Sequence, residues 1–96
     1  MTTPIRPLFP LGQIVATPGA LETMARKGID PAGLIHRHLT GDWGDLCQED
    51  AEENNYSVEH GLRILSAYGA RDDPDRLWVI TEADRSVTTI LCPDEY

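Results

Sequence analysis

Acidic side chains crowd the middle of this chain, where they could dock a basic partner or hold a hard cation. No lysine or arginine occurs between Arg37 and Arg63, although seven carboxylates fall in that stretch. Carboxylates without a counter-charge repel one another, so the stretch indicates either a solvated face or an electrostatic docking surface for a positively charged protein. The acids are Asp42, Asp45, Glu49, Asp50, Glu52, Glu53 and Glu59.

A tryptophan within this stretch allows two interpretations. Trp43 lies in a loop that also holds Gly41 and Gly44. It is either a packing anchor or an exposed contact residue, because tryptophan is common both in cores and at the centres of protein interfaces. The predicted partner-binding residues are therefore Asp42, Trp43, Asp45, Glu49, Asp50, Glu52 and Glu53.

The spacing of possible metal ligands does not fit a known site. The acids lack the alternating D-x-D-x-D order and the closing glutamate of a calcium loop. On a helix, His36 and His38 would point about 200° apart, so they could not share one ion. We expect no metal ligands and no cofactor, although a metal-binding regulator stays open as a third class of function.

A second set of polar residues could do catalysis on a sheet surface. Small ribonucleases cleave phosphodiesters with histidine, arginine, glutamate and threonine side chains on such a surface. His38, Arg63, Thr81 and Arg85 are the catalytic candidates of that type here. Alternatively, His38 packs beside Leu34 and Leu39 in a core, and Arg85 is a turn residue paired with a carboxylate.

The overall charge weighs against the ribonuclease interpretation. A net charge of −8 repels phosphate backbones and disfavours direct nucleic-acid binding. We therefore favour a non-enzymatic interaction protein whose partner has a basic surface, for example a nucleic-acid-binding or host-defence protein. A small ribonuclease-like toxin or enzyme is the alternative.

Three strands near the end of the chain must position these residues. Residues 63–68, 77–81 and 87–92 are rich in β-branched or aromatic side chains and are separated by turn-prone residues, which is typical of an antiparallel meander. Gln13–Ala16 could add a short fourth strand at an edge. Residues 1–12 hold three prolines and are expected to form an extended arm on the body.

Helix signals fill the region between the arm and the meander. Thr17-Pro18 and Asp30-Pro31 each combine a capping side chain with a proline suited to the first helical position. Asp45-x-x-Gln48 fits a capping box and predicts a third, acidic helix over residues 46–59. We expect an α+β fold in which these helices pack on a three- to four-stranded antiparallel meander, as one domain of residues 1–96.

Composition places the chain among soluble globular domains. It has 41% hydrophobic and 25% charged residues, no apolar run near the ~18 residues of a membrane span, and no signal-peptide pattern. We therefore expect a cytoplasmic protein with no membrane partner. In a reducing compartment Cys47 and Cys92 are expected to be free thiols.

Several stretches of the sequence resemble a family of small bacterial proteins that are described as plasmid-related. They are GQIVATPGAL at 12–21, GDWGD at 41–45, LWVITEADRS at 77–86, TTIL at 88–91 and DEY at 94–96. The resemblance spans nearly the whole chain and implies a bacterial host and a link to mobile genetic elements. It brings no catalytic residues to this sequence.

Overall fold

The structure is a computed structural model, and it describes residues 7–96. Across these residues three helices pack with a four-stranded mixed sheet, so the predicted α+β class is confirmed. The elements are β1 (Gln13–Ala16), α1 (Pro18–Lys27), α2 (Pro31–Leu39), α3 (Gln48–His60), β2 (Ile64–Tyr68), β3 (Leu77–Thr81) and β4 (Val87–Leu91), followed by a single 3-10 turn at Pro93–Glu95.

The strand order of the sheet is β1-β4-β3-β2. Strands β2, β3 and β4 form the predicted antiparallel meander. The expectation of a wholly antiparallel sheet is wrong, because β1 runs parallel to β4 with Gln13 opposite Val87. Gly12 permits this pairing: its φ is +64°, and a Cβ there would overlap the backbone of Ser86.

Helices α1 and α2 begin where the sequence predicts. The Thr17 hydroxyl accepts from the Ala20 amide over 3.3 Å, and the Asp30 carboxylate accepts from the Ala32 amide over 3.0 Å. Both helices cover one face of the sheet, and their apolar stripes pack against every second side chain of the strands. The main core cluster is Ala20, Met24, Leu34, Ile35, Tyr68, Leu77, Val79 and Ile90.

Helix α3 starts later than the sequence predicts. The capping-box interpretation of Asp45 and Gln48 is wrong, because Cys47 is the N-cap and makes no side-chain hydrogen bond there. The Asp45 carboxylate accepts instead from the Gly69 amide over 2.7 Å, which ties the loop before α3 to the end of β2. The Asp45 carboxylate thus accepts from the distant Gly69 amide, and not from an amide in the first turn of α3 as a capping box requires.

The described part of the arm, residues 7–12, lies on the body as expected, whereas residues 1–6 of the predicted arm lie outside the described residues. The Leu8 amide donates to the Leu39 carbonyl over 3.0 Å. Phe9 is buried with Trp43 and Ile64 in a second core cluster beside α3. The arm therefore completes the core on the helical side of the sheet.

Candidate functional site

Helix α3 is fixed to the edge of the sheet by a side-chain amide. Asn54 is buried, donates to the Leu65 carbonyl over 2.6 Å and accepts from the Leu65 amide over 3.1 Å. This pair of hydrogen bonds replaces the contacts that a neighbouring strand would make with β2. The acidic helix is therefore held in one orientation relative to the sheet.

The loop before α3 closes the rest of the same edge. The Ala67 amide donates to the Trp43 carbonyl over 3.1 Å, and the Asp45 amide donates to the Ala67 carbonyl over 2.6 Å. Gly44, at φ +78°, allows this approach, since a Cβ there would overlap the Ala67 carbonyl oxygen. Residues 43–54 of the acidic segment thus cover the free edge of β2, and this contact determines much of their local structure.

Two of the predicted partner-binding acids are engaged within the protein. The Arg37 Nε donates to Asp42 Oδ2 over 2.7 Å, and this hydrogen bond lowers the pKa of the Asp42 carboxyl. The Gly44 amide donates to the other Asp42 oxygen over 3.1 Å. Asp42 and Asp45 therefore both have internal partners, although both remain exposed.

The interpretation of Trp43 as an exposed contact residue is wrong. Its side chain is 6% exposed, and its ring stacks on Phe9 with 6.4 Å between centroids. The indole Nε1 donates to Asn55 Oδ1 over 3.1 Å, so its polar atom is satisfied within the fold. Trp43 is the packing anchor that the sequence allowed as the other interpretation.

The remaining acids of the segment are exposed residues of α3, and Asp50 and Glu53 are on the side of the helix that borders the sheet. Asn54 and Ser57 face inward, whereas the carboxylate-bearing residues of the helix are exposed. Within residues 7–96, ion pairs shorter than 4.0 Å involve only Asp42 and Asp75 among the acids. We call these remaining residues the α3 acidic face: Glu49, Asp50, Glu52, Glu53 and Glu59.

A groove of about 390 Å³ runs between α3 and the sheet face that α1 and α2 leave uncovered. Its floor includes Leu65 and Trp78, which alternate along their strands with the main core residues. Its sides are lined by two acids of the α3 acidic face and by three arginines from outside that helix. We call this the α3–β2 groove; its charged lining residues are Asp50, Glu53, Arg63, Arg71 and Arg76.

The arginines of the groove differ in how much the protein already uses them. Arg63 donates to the Tyr96 hydroxyl, and its guanidinium lies 5.3 Å from the centroid of that ring. Arg76 Nη2 makes one long hydrogen bond of 3.4 Å to the Asp45 carbonyl, and its buried Nε has no hydrogen-bond partner within residues 7–96. Arg71 is exposed and donates no hydrogen bond in that part of the chain.

Two of the predicted catalytic residues meet inside the core. His38 Nε2 lies 2.9 Å from Thr81 Oγ1, and His38 Nδ1 lies 2.5 Å from Ser66 Oγ. All three side chains are 0% exposed. Burial lowers the pKa of His38 to about 4, so the imidazole is neutral at pH 7.

The proton positions of this network follow from its final acceptor. The Leu11 carbonyl can only accept, so Thr88 donates to it over 2.7 Å and itself accepts from Thr81 over 2.7 Å. Thr81 must then accept from Nε2–H of His38, and Ser66 donates to Nδ1. Every hydroxyl and both ring nitrogens are satisfied with the imidazole uncharged, which is the pattern of a structural histidine.

The two arginine candidates lie elsewhere. Arg85 has a φ of +61° in the β3–β4 turn and donates to the carbonyls of Ser57 and Leu62, so it caps the end of α3. Arg63 lies at the α3–β2 groove. The structure therefore brings together His38 and Thr81 but neither arginine, and it places the joined pair where no substrate can reach them.

Sequence reasoning missed several residues that build the buried network and the groove. Ser66 and Thr88 complete the buried network, and the sequence signal was their position on the core-facing side of predicted strands. Asn54 carried a weaker signal, as a polar residue on the thin inner face of the acidic helix. Arg71 and Arg76 gave no signal, because only the folded β2–β3 connection brings them opposite α3.

Comparisons with known proteins add no further identification: no family model, no curated protein and no solved structure matches this chain. Among residues 7–96, no group of three or more histidine, cysteine, aspartate or glutamate side chains could hold a metal ion. No helix in that range has the length and hydropathy to cross a bilayer. The link to mobile elements and the cytoplasmic location stay predictions.

Proposed function

We propose that this protein is a non-enzymatic interaction protein that docks a partner with a basic surface on the α3 acidic face. The single observation that carries the proposal is that five exposed carboxylates on one helix have no lysine or arginine nitrogen within 4.0 Å in residues 7–96. Unpaired like charges on one surface attract a cationic partner and raise its association rate.

Rigidity of the helix also supports this proposal. The Asn54 hydrogen bonds to Leu65 fix α3 against the sheet before any partner arrives. A preorganised surface loses little conformational entropy on binding, so its electrostatic attraction is available for affinity. A basic nucleic-acid-binding or host-defence protein of a mobile element would be a partner of this kind.

The buried His38 network gives no support to the ribonuclease alternative. A general base must be within hydrogen-bond reach of a substrate proton, and His38 and Thr81 are both fully buried.

Two charge-matched variants test the docking proposal with a short oligolysine peptide as the probe. The first neutralises the helix through Glu49→Gln, Glu52→Gln, Glu53→Gln and Glu59→Gln. The control neutralises four exposed acids elsewhere, through Glu22→Gln, Asp72→Asn, Glu82→Gln and Asp94→Asn. Each variant removes four negative charges from the net charge of −8.

We expect the helix variant to bind the peptide at least about tenfold more weakly than the control variant does. The affinity of the unchanged protein should also fall steeply as salt rises from about 0.05 to 0.5 M, because exposed charges are screened over shorter distances. Equal weakening by both variants would overturn the proposal, since the peptide would then sense only net charge.

A further inference from the structure

The α3–β2 groove has two charged sides of opposite sign above an apolar floor. Asp50 and Glu53 project from α3 on one side, and the arginines lie on the strand and loop side. Leu65 and Trp78 lie between them. Five of the ten residues that line the groove are charged, which is more than in a typical apolar ligand pocket and favours a ligand with charged ends.

The two sides do not neutralise each other in this structure. Within residues 7–96 no carboxylate oxygen of α3 lies within 4.0 Å of an arginine nitrogen. Arg76 makes a single side-chain hydrogen bond of 3.4 Å through Nη2 in that part of the chain, so its guanidinium has further N–H donors to offer a ligand. Arg71 presents an unengaged guanidinium beside it.

The charge pattern selects the ligand. A polyanion would meet the carboxylates of α3 and the net charge of −8, and a polycation would meet the guanidinium groups. A molecule with one positive and one negative end can satisfy both sides at once. An apolar body between those ends would contact the indole of Trp78 and the side chain of Leu65.

We propose that the α3–β2 groove binds a small zwitterion with an apolar body, of the class of apolar amino acids and dipeptides with free termini. The α-carboxylate accepts hydrogen bonds from Arg71 and Arg76, where a planar guanidinium fits a carboxylate. The α-ammonium donates to Asp50 and Glu53. A groove of about 390 Å³ is large enough for a ligand of this size. Zwitterion binding does not require that α3 dock a basic protein.

The test uses the two tryptophans as internal reporters. Leucyl-leucine and free leucine are titrated separately into isotope-labelled protein while the indole resonances are followed. Trp78 lines the groove and should shift in a saturable way, whereas Trp43 lies in the core and should not. The tighter of the two ligands shows whether the site prefers an amino acid or a dipeptide.

Dipeptides with one terminus blocked test the contribution of each charged end separately. N-acetylation removes the ammonium and C-terminal amidation removes the carboxylate, and each should weaken binding about tenfold. Equal binding of the capped and uncapped dipeptide would overturn the proposal. Adenosine monophosphate that binds more tightly than either zwitterion would also overturn it, in favour of a nucleotide site. Absence of any Trp78 shift at millimolar zwitterion would overturn it as well.

Single charge removals with matched controls locate the site. Arg71→Gln and Glu53→Gln should each weaken the dipeptide about tenfold, and Lys27→Gln and Glu22→Gln should leave its affinity unchanged. Arg71 and Glu53 are exposed and make no side-chain hydrogen bond in residues 7–96, so folding should be unaffected. Thermal unfolding of all four variants checks this. Equal losses in the controls would contradict binding in the groove.

Discussion

The interior beneath α2 and the groove beside α3 are both rich in polar groups, but only the first satisfies them internally. Beneath α2, His38 and three hydroxyl groups form a closed chain that ends on a backbone carbonyl. Beside α3, carboxylates and guanidinium groups face solvent without ion pairs between them. Residue types typical of active sites therefore serve stability in one region, and the unpaired charges of the other are available to a partner or ligand.

The largest expected effect comes from removing the imidazole of the buried network. His38→Ala leaves the hydroxyls of Ser66 and Thr81 without their partner and opens a cavity in a fully buried site. We expect a loss of about 4 kcal/mol in the free energy of unfolding. Urea denaturation measures it, with the exposed His36→Ala as control, which should change stability by less than about 0.5 kcal/mol. If His38→Ala costs no more stability than His36→Ala, the buried network does not stabilise the fold and the contrast with the groove is wrong.

The pH dependence of stability sharpens the same contrast. Burial lowers the pKa of His38 to about 4 in the folded protein, against about 6.5 in the unfolded chain. The unfolded chain therefore binds the extra proton between these values, and stability should fall as pH decreases from about 6.5 to 4. The full loss is about 3 kcal/mol. His38→Gln should remove most of this pH dependence of the free energy of unfolding, whereas His36→Ala should leave it unchanged.

Carboxylates with lowered pKa values contribute below about pH 5, so the range from about pH 6.5 to 5 reports on His38 most directly. Hydrogen bonds from Thr17 and the Cys92 amide lower the pKa of Glu95 to about 2. Stability from that group is present above the ordinary glutamate pKa and is lost as pH falls toward 2. An unfolding profile that is flat from pH 6.5 to 4.5 in the unchanged protein would contradict a buried neutral His38.

A smaller effect is expected at the junction between α3 and the sheet. Asn54→Ala leaves the amide and carbonyl of Leu65 without partners, and we expect it to cost about 2 kcal/mol. The measurement is chemical denaturation together with amide hydrogen exchange at Leu65, which should become faster. Glu52→Ala on the exposed side of the same helix is the matched control. Unchanged exchange at Leu65 would mean that the side chain does not close this edge.

Local signals in the sequence were reliable where a few neighbouring residues decide the structure. Thr17-Pro18 and Asp30-Pro31 start helices because a cap and a proline act within one turn. The capping signal at Asp45 was wrong, because the Asp45 carboxylate accepts a hydrogen bond from the Gly69 amide, which lies far along the chain. The parallel pairing of β1 with β4 could not be predicted from either strand, because it depends on where the chain returns after three helices and two strands.

The candidate sites also show a difference between features set by neighbouring residues and features set by contacts far apart in the sequence. The surface position of α3 followed from the thin apolar face of that segment. The burial of His38 was also readable from the apolar stripe of α2, but its hydrogen-bond partners come from strands that lie far apart in the sequence. The guanidinium side of the groove depends on the β2–β3 connection and could not be predicted from the acids opposite it.

The most direct test of the central claim maps where an oligolysine peptide binds. Backbone amide shifts of isotope-labelled protein are recorded during titration at low salt and again at about 0.5 M salt. The docking proposal predicts saturable shifts concentrated at residues 49–59 that vanish at high salt, while the amides of Ser66, Thr81 and Thr88 stay unchanged. Shifts of equal size at the exposed acids of residues 82–84 and 94–95 would contradict it.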